Sequence, residues 1–143
     1  MGVPLHMSTV ERPTRSELIA LDAAFVDARG AIQPLIEGGF ASAQLISCTT
    51  GSVRANHYHK EDWHYCYMVS GSMDYFFRPV GSSDTPTCIR VASGQMIFTP
   101  PMEEHAMQFL EQSAFINFAN RQRDQASYEE DLVRVELITP SAI

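Results

Sequence analysis

Four of the five histidines, His57, His59, His64 and His105, fall on segments that read as short strands, and their spacing is the feature of this sequence best able to do chemistry. His57 and His59 are two apart, and side chains two apart on a strand point to one face. His64 follows the short connection Lys60-Glu61-Asp62-Trp63 and opens the next strand. His105 comes later, just after the proline turn Pro100-Pro101, where a barrel would return it to the same point. Three or four neutral imidazoles converging on one centre make a site for one divalent transition ion: Zn, Fe, Ni, Cu or Mn. A lone strand histidine is ordinarily packed or exposed without further role, and His-x-His alone is a weak signal. His-x-His-x4-His opening an apolar strand is a much stronger one.

The elements that must position these residues are short and cut at regular intervals. Runs rich in β-branched, aromatic and alternating residues predict strands near 31–36, 42–49, 52–59, 63–70, 72–79, 87–92, 95–99, 105–110, 113–119 and 132–138. Between them lie Gly38-Gly39, Gly51, Lys60-Glu61-Asp62, Ser70-Gly71, Pro79 to Pro86, Ser93-Gly94 and Pro100-Pro101. So many short strands, with no long helices between them, predict an antiparallel sandwich or barrel and exclude a βαβ fold. Residues 1–30 read as an N-terminal arm. Within it the capping-box spacing of Thr14-Arg15-Ser16-Glu17 predicts a short helix over Leu18–Phe25, and Asp27-Ala28-Arg29-Gly30 predicts a turn. Residues 31–143 read as a single barrel domain. Asp124 to Glu130 is polar and reads as a helical turn or loop before a last, edge strand.

Composition bounds the function. The chain has 143 residues, 45% hydrophobic and 19% charged, enough for one core without disulfides or a structural metal. A net charge of −7 argues against a nucleic-acid surface. Cys48, Cys66 and Cys88 are odd in number and widely spaced with no CxxC, which argues against a disulfide framework or a cysteine zinc site. No apolar run reaches the ~20 residues of a membrane span, and the opening stretch lacks the apolar region of a secretory signal. The expected setting is the cytoplasm.

The histidine motif carries a family likeness. Gly51-x5-His57-x-His59-x4-His64-x6-Gly71 resembles the first motif of the cupin superfamily, G-x5-H-x-H-x(3,4)-E-x6-G. Gly94-x5-Pro100-x-Met102-x2-His105 resembles the second, G-x5-P-x-G-x2-H-x3-N. The likeness spans roughly residues 40–120. It implies an all-β fold, the antiparallel double-stranded β-helix or cupin jelly-roll barrel, with His57, His59, His64 and His105 as metal ligands. Three positions depart from the pattern: His64 stands for the Glu ligand, Met102 for the Gly and Phe109 for the Asn. Without the carboxylate the ligand set is neutral and the ion keeps its full charge, which favours an anionic or enediolate-like bound species. Phe25 to Gly30 and Ser52 to Lys60 are also similar to the sugar-nucleotide cupins, the dTDP-sugar 3,5-epimerases and 3,4-ketoisomerases. In that group the first histidine of the pair often acts as a base without metal, a role that would fall to His57. The further histidines at ligand positions argue for the metal instead. Cupins commonly pair their exposed strand edges by dimerising, so the likeness implies a homodimer.

Strand parity names the rest of the pocket. With His64 inward, Cys66 and Met68 follow it and Tyr65, Tyr67 and Val69 face out; with His105 inward, Met107 and Phe109 follow. Cys66 reads as a small buried hydrophobe, and Trp63 as packed on an outer face or subunit contact. Glu103 and Glu104 precede His105, where a carboxylate could serve as general base, although a solvated turn is the ordinary fate of such a pair. Glu104 and Tyr75 are the catalytic candidates, and Gln44, Arg78, Met107 and Phe118 the substrate-binding ones. The expected activity is metal-dependent Lewis-acid chemistry (isomerase, epimerase or lyase) on a small polar, sugar- or keto-acid-like substrate. A non-haem iron or copper dioxygenase, a non-catalytic ligand-binding module and a purely structural metal are the alternatives.

Overall fold

The computed structural model describes residues 12–140; residues 1–11, which include His6 and the start of the stretch read as an N-terminal arm, lie outside the described residues, as do 141–143. Two five-stranded antiparallel sheets face each other. The strands are β1 (Glu17–Ile19), β2 (Phe25–Asp27), β3 (Gly30–Ile32), β4 (Ser42–Cys48), β5 (Val53–His59), β6 (His64–Ser70), β7 (Ser72–Pro79), β8 (Thr87–Ala92), β9 (Met96–Thr99), β10 (Glu103–Phe109), β11 (Ser113–Ala119) and β12 (Leu132–Arg134). A helix, α1 (Gln125–Asp131), precedes the last strand. The first sheet runs β1-β9-β6-β11-β4, the second β12-β5-β10-β7-β8, and β2-β3 form a separate hairpin.

Alternation builds the core between the sheets. Along β11 residues 113, 115, 117 and 119 are buried, while 114, 116 and 118 face outward and are only half-buried. Cys66, Met68, Met73, Tyr75, Phe109 and Phe115 fill the space between the sheets. Each large apolar side chain taken out of water contributes about 1.5–3 kcal/mol. Among the described residues no helix is long and apolar enough to cross a membrane.

A second apolar cluster, Trp63, Tyr65, Met96 and Phe98, sits on the outer face of the first sheet. Ile19, Leu21, Leu35 and Ile36 cover it, and the Arg12 guanidinium lies 4.1 Å from the centre of the Trp63 ring. This explains why no helix forms over Leu18–Phe25. Glu17 to Ile19 pair with Phe98 to Met96 instead, and the Ser16 side chain and N–H both bond Glu103 rather than capping a turn. Tertiary pairing and apolar cover outweigh the few tenths of a kcal/mol per residue that local helix propensity supplies. The segment read as an arm therefore contributes the edge strand of a sheet.

Strand boundaries differ by more than two residues in two further places. The strand expected over 31–36 ends at Ile32, and Leu35 and Ile36 cross to the outer cluster. The last strand ends at Arg134, not residue 138. Beyond it the Asn56 side chain takes over the ladder: its Oδ1 accepts from Leu137 N and Ile138 N, each at 3.1 Å.

Backbone strain gathers beside the histidines. Ala55 and Asn56 both take positive φ, 71° and 54°. Here the β5–β10 register slips, from His105 opposite His57 to Ala106 opposite Ala55. Such a bulge re-aims the side chains that follow it, here His57 and His59. Met102 has φ 59°, so the methionine at the motif's Gly position keeps a left-handed backbone; its N–H donates to His59 O at 2.7 Å.

Candidate functional site

β5, β6 and β10 bring all four histidines to one point. His57 and His59 come from β5, His64 from the start of β6 and His105 from β10. Ring centroids are 4.7 Å apart for His57–His59, 4.8 Å for His57–His105, 5.6 Å for His59–His64 and 5.3 Å for His64–His105. His57, His59 and His105 each present a ring nitrogen within 4.8 Å of the others; His64 stands just outside that triangle. All four are buried.

The back nitrogens of three rings are engaged. His59 Nδ1 is 3.0 Å from Asp131 Oδ2, His105 Nδ1 is 3.3 Å from the Glu103 carbonyl, and His64 Nδ1 is 3.3 Å from Cys66 Sγ. A ring whose Nδ1–H donates to a carboxylate or carbonyl holds its Nε2 lone pair free. The Nε2 atoms of His59 and His105 are buried and have no hydrogen-bond partner among the described residues. Asp131, at the end of α1, is itself held: Glu61 N donates to its Oδ1 at 2.8 Å and Asp62 N to its Oδ2 at 3.2 Å. Cys66 passes the contact on, its thiol donating to Asn117 Oδ1 at 3.3 Å and Asn117 Nδ2 to Gln44 Oε1 at 3.1 Å.

Burial, then the charge of neighbouring imidazoles and of Arg123, pushes every one of these histidines down: His57 to about 3, His59 likewise, His64 and His105 well below the usual range. All four rings are therefore neutral at physiological pH and offer lone pairs. Unfolded, they take up protons near 6.5. Between about 6.5 and 3 the unfolded chain binds more protons, so the folding stability of chelator-treated protein falls as pH drops through that window and is fully present above it. Each unit of difference is worth about 1.4 kcal/mol, which amounts to several kcal/mol for one such histidine. Melting curves of that protein are expected to be flat above about pH 7 and to fall steeply from about pH 6 to 4; a flat profile down to pH 4 would show that the rings protonate freely in the fold.

A cavity of about 130 Å³ opens onto the four rings. Its remaining wall is Ile46, Arg54, Ala55, Met107, Phe115, Asn117, Arg123 and Tyr128. Met107 thus lines it as parity required, and Gln44 reaches it through Asn117. The other candidates lie elsewhere. Glu104 is one residue from His105 on a strand and so faces out, where its carboxylate binds Arg78 at 2.9 Å. That pair removes both Glu104 and Arg78 from the cavity. Glu103, two residues from His105, is the inward carboxylate, but it bonds Ser16. Tyr75 points inward and stacks on His105 at 6.1 Å, yet its hydroxyl is tied to Ser16 Oγ and Thr99 Oγ1 and does not line the cavity. Phe118 faces out against Phe40. Asp131, Arg123 and Tyr128 escaped the sequence reading because the polar stretch around α1 carries no local pattern that assigns it to the barrel interior.

No protein-family model and no curated protein matches the sequence at a significant level. Solved structures do match in shape. A 3,4-ketoisomerase from Helicobacter canadensis superposes with a TM-score of 0.70 at 18% identity, over 83% of this chain and 90% of that one. The sugar 3,4-ketoisomerase of Thermoanaerobacterium thermosaccharolyticum, solved in complex with TDP, gives 0.68 at 18% identity, over 84% and 88%. The RmlC epimerase of Mycobacterium tuberculosis gives 0.69 at 14% identity, over 92% and 80%. The fold is an RmlC-like cupin jelly roll. In this fold the two histidine-bearing motifs meet: His57 lies directly opposite His105 in the β5–β10 ladder.

Proposed function

We propose that this chain is a metal-dependent cupin enzyme acting on a small polar substrate, with one divalent transition ion held by His57, His59 and His105 and completed by His64. The observation that carries the reading is the pair of buried, unpartnered Nε2 atoms on His59 and His105, in rings whose Nδ1 atoms are already engaged. Buried polar atoms are nearly always paired, so two orphaned lone pairs in one cluster call for a ligand between them. The donor set fits such an ion: four neutral imidazoles suit Zn, Fe, Ni or Cu and suit Mn less well.

When bound, the ion would supply Lewis-acid polarisation of a substrate oxygen. The chain's own residues do the rest. Ile46, Ala55, Met107 and Phe115 exclude water from the reacting group. No Asp or Glu lines the cavity among the described residues, so outside the four ligating imidazoles Tyr128 is the one group there able to hand over a proton. Burial pushes its phenol up, opposed by Arg123 and Arg134, and it stays protonated at neutral pH as an acid. Isomerisation or epimerisation beside a carbonyl is the reaction class we favour, in keeping with fold neighbours described as ketoisomerases and an epimerase.

Asp131 is a positioning residue in this scheme, since its carboxylate sets the tautomer of His59. Asp131→Asn is expected to lower metal affinity about 10–100-fold with the fold kept, as changes to such outer partners typically do. Competition with a chelator of known affinity measures it; unchanged affinity would separate Asp131 from the site.

We also propose a homodimer. Phe25, Val26 and Ile32 on the β2–β3 hairpin are 60%, 69% and 66% exposed, apolar surface that a second copy would cover. Sedimentation at micromolar concentration tests it, and a monomer would overturn it.

The deciding experiment for the function is elemental analysis of purified, untagged protein. About one zinc, nickel or manganese per chain supports the Lewis-acid reading. One iron or copper, together with substrate-dependent oxygen uptake, would move the protein to the dioxygenases. No metal, even after reloading, would overturn the four-histidine centre.

A further inference from the structure

The geometry points to a small organic carboxylate as the ligand of this cavity, its carboxylate group taken by Arg123 inside and drawn in by Arg54 at the mouth; this deepens, and rests on, the function proposed above. Size comes first. The cavity of about 130 Å³ is well below the ~300–1,000 Å³ of pockets that enclose drug-sized ligands, so the barrel interior has no room for a nucleotide.

Charge comes second. Among the described residues the two permanently charged side chains lining the cavity are both guanidiniums, and no carboxylate lines it. Arg123 Nε is bound to Asp62 Oδ2 at 2.9 Å, and its guanidinium lies 5.2 Å from the centre of the Tyr128 ring. Its Nη2 is buried without a hydrogen-bond partner among the described residues. A buried donor left unpaired costs about 1–3 kcal/mol or more, and a planar carboxylate is the acceptor that a guanidinium matches best. Arg54 is bound to the Ser47 carbonyl at 2.9 Å and to Cys48 Sγ at 3.2 Å, and among the described residues no carboxylate pairs with it.

The apolar wall comes third. Ile46, Ala55, Met107 and Phe115 make room for a short carbon skeleton, which a bare inorganic anion would leave unfilled. The ligand class is then a carboxylate of a few carbons bearing a carbonyl or hydroxyl oxygen that reaches the histidines.

Calorimetric titration tests this on the full-length protein, both as isolated and after chelation, with metal content measured on each sample. The probes are pyruvate, lactate and malonate, each against its neutral amide, together with inorganic phosphate and TDP. At least one carboxylate is expected to bind about tenfold or more tighter than its amide in both preparations, as a charged hydrogen bond implies. Arg123→Gln should cut that preference to below about threefold with metal content unchanged. Because Arg123 also braces Asp62, Arg54→Gln serves as a second variant on a more exposed residue, expected to weaken the same carboxylate about threefold to tenfold. Three results would overturn the inference: amides binding as well as acids, a folded Arg123→Gln protein keeping the preference, or phosphate or TDP binding more tightly than every carboxylate. An Arg123-dependent preference in a protein that takes up no metal would support this inference and overturn the metal centre, so the two readings fail separately.

Discussion

His57→Ala and His59→Ala are each expected to reduce the metal content from about one ion per chain to below about a tenth, while circular dichroism stays that of the parent protein. The three rings that place nitrogens within 4.8 Å of one another are the minimum that can grip an ion here, and each substitution leaves two. Binding free energies at closed protein sites run to about 10–16 kcal/mol and are shared among few ligands, so one loss is severe. The fold is expected to survive because neither His57 nor His59 is a member of the apolar cluster that fills the space between the sheets. His64→Ala provides the internal comparison. His64 stands outside the tight triangle, so its loss should weaken binding without abolishing it. Elemental analysis after dialysis against a weak chelator reads all three. If His57→Ala and His59→Ala both keep a full complement of metal, the site is elsewhere.

The largest expected effect on stability lies at a residue with no chemistry. Gly71 joins β6 to β7 with φ +83°, and a Cβ there would overlap Ser113 Oγ and stand 2.6 Å from the Gln112 carbonyl oxygen. Two costs combine in Gly71→Ala: about 1–2 kcal/mol for the left-handed backbone and about 1–3 kcal/mol for forcing the β11 entry aside. Relief by moving Ser113 would break its bonds to Ser72 N and the Glu111 carbonyl. Gly81→Ala isolates the first cost, since Gly81 has φ +88° with nothing within 4 Å of the added atom. Urea unfolding should show the Gly71→Ala midpoint falling about one and a half times as far as that of Gly81→Ala, or further, with the slope unchanged. Equal shifts would mean that the turn yields freely and the contact is harmless.

Much of this architecture was legible in the residues. Gly71 closes the first histidine motif at the position where only a residue without a Cβ fits, so the motif's spacing encoded the β6–β7 turn. Inward His64, Cys66 and Met68 follow from period-two alternation alone, as do Met107 and Phe109 behind His105. That same parity favoured Glu103 over Glu104 as the inward carboxylate, a signal present in the sequence but set aside for Glu104. Strands read well here because each covers a core on one face, and that one-sided burial is written locally as alternation.

What tertiary structure decided is whatever depends on partners far along the chain. Asp131 is 72 residues from the His59 it orients, and Ser16 is 87 from the Glu103 that draws it out of a helix. Neither contact leaves a local period to read. The Ala55–Asn56 bulge re-aims two histidines through a left-handed Ala55, a backbone shape alanine rarely takes, held there by Asn56's grip on the chain near Ile138. Arg123 and Tyr128 enter the cavity only because the segment after β11 folds back over the barrel mouth. Which face a strand buries is set by neighbours two residues away and is carried by the sequence itself. Which carboxylate meets which imidazole is set by how two sheets and a short helix close around a common space, and only the folded chain determines it.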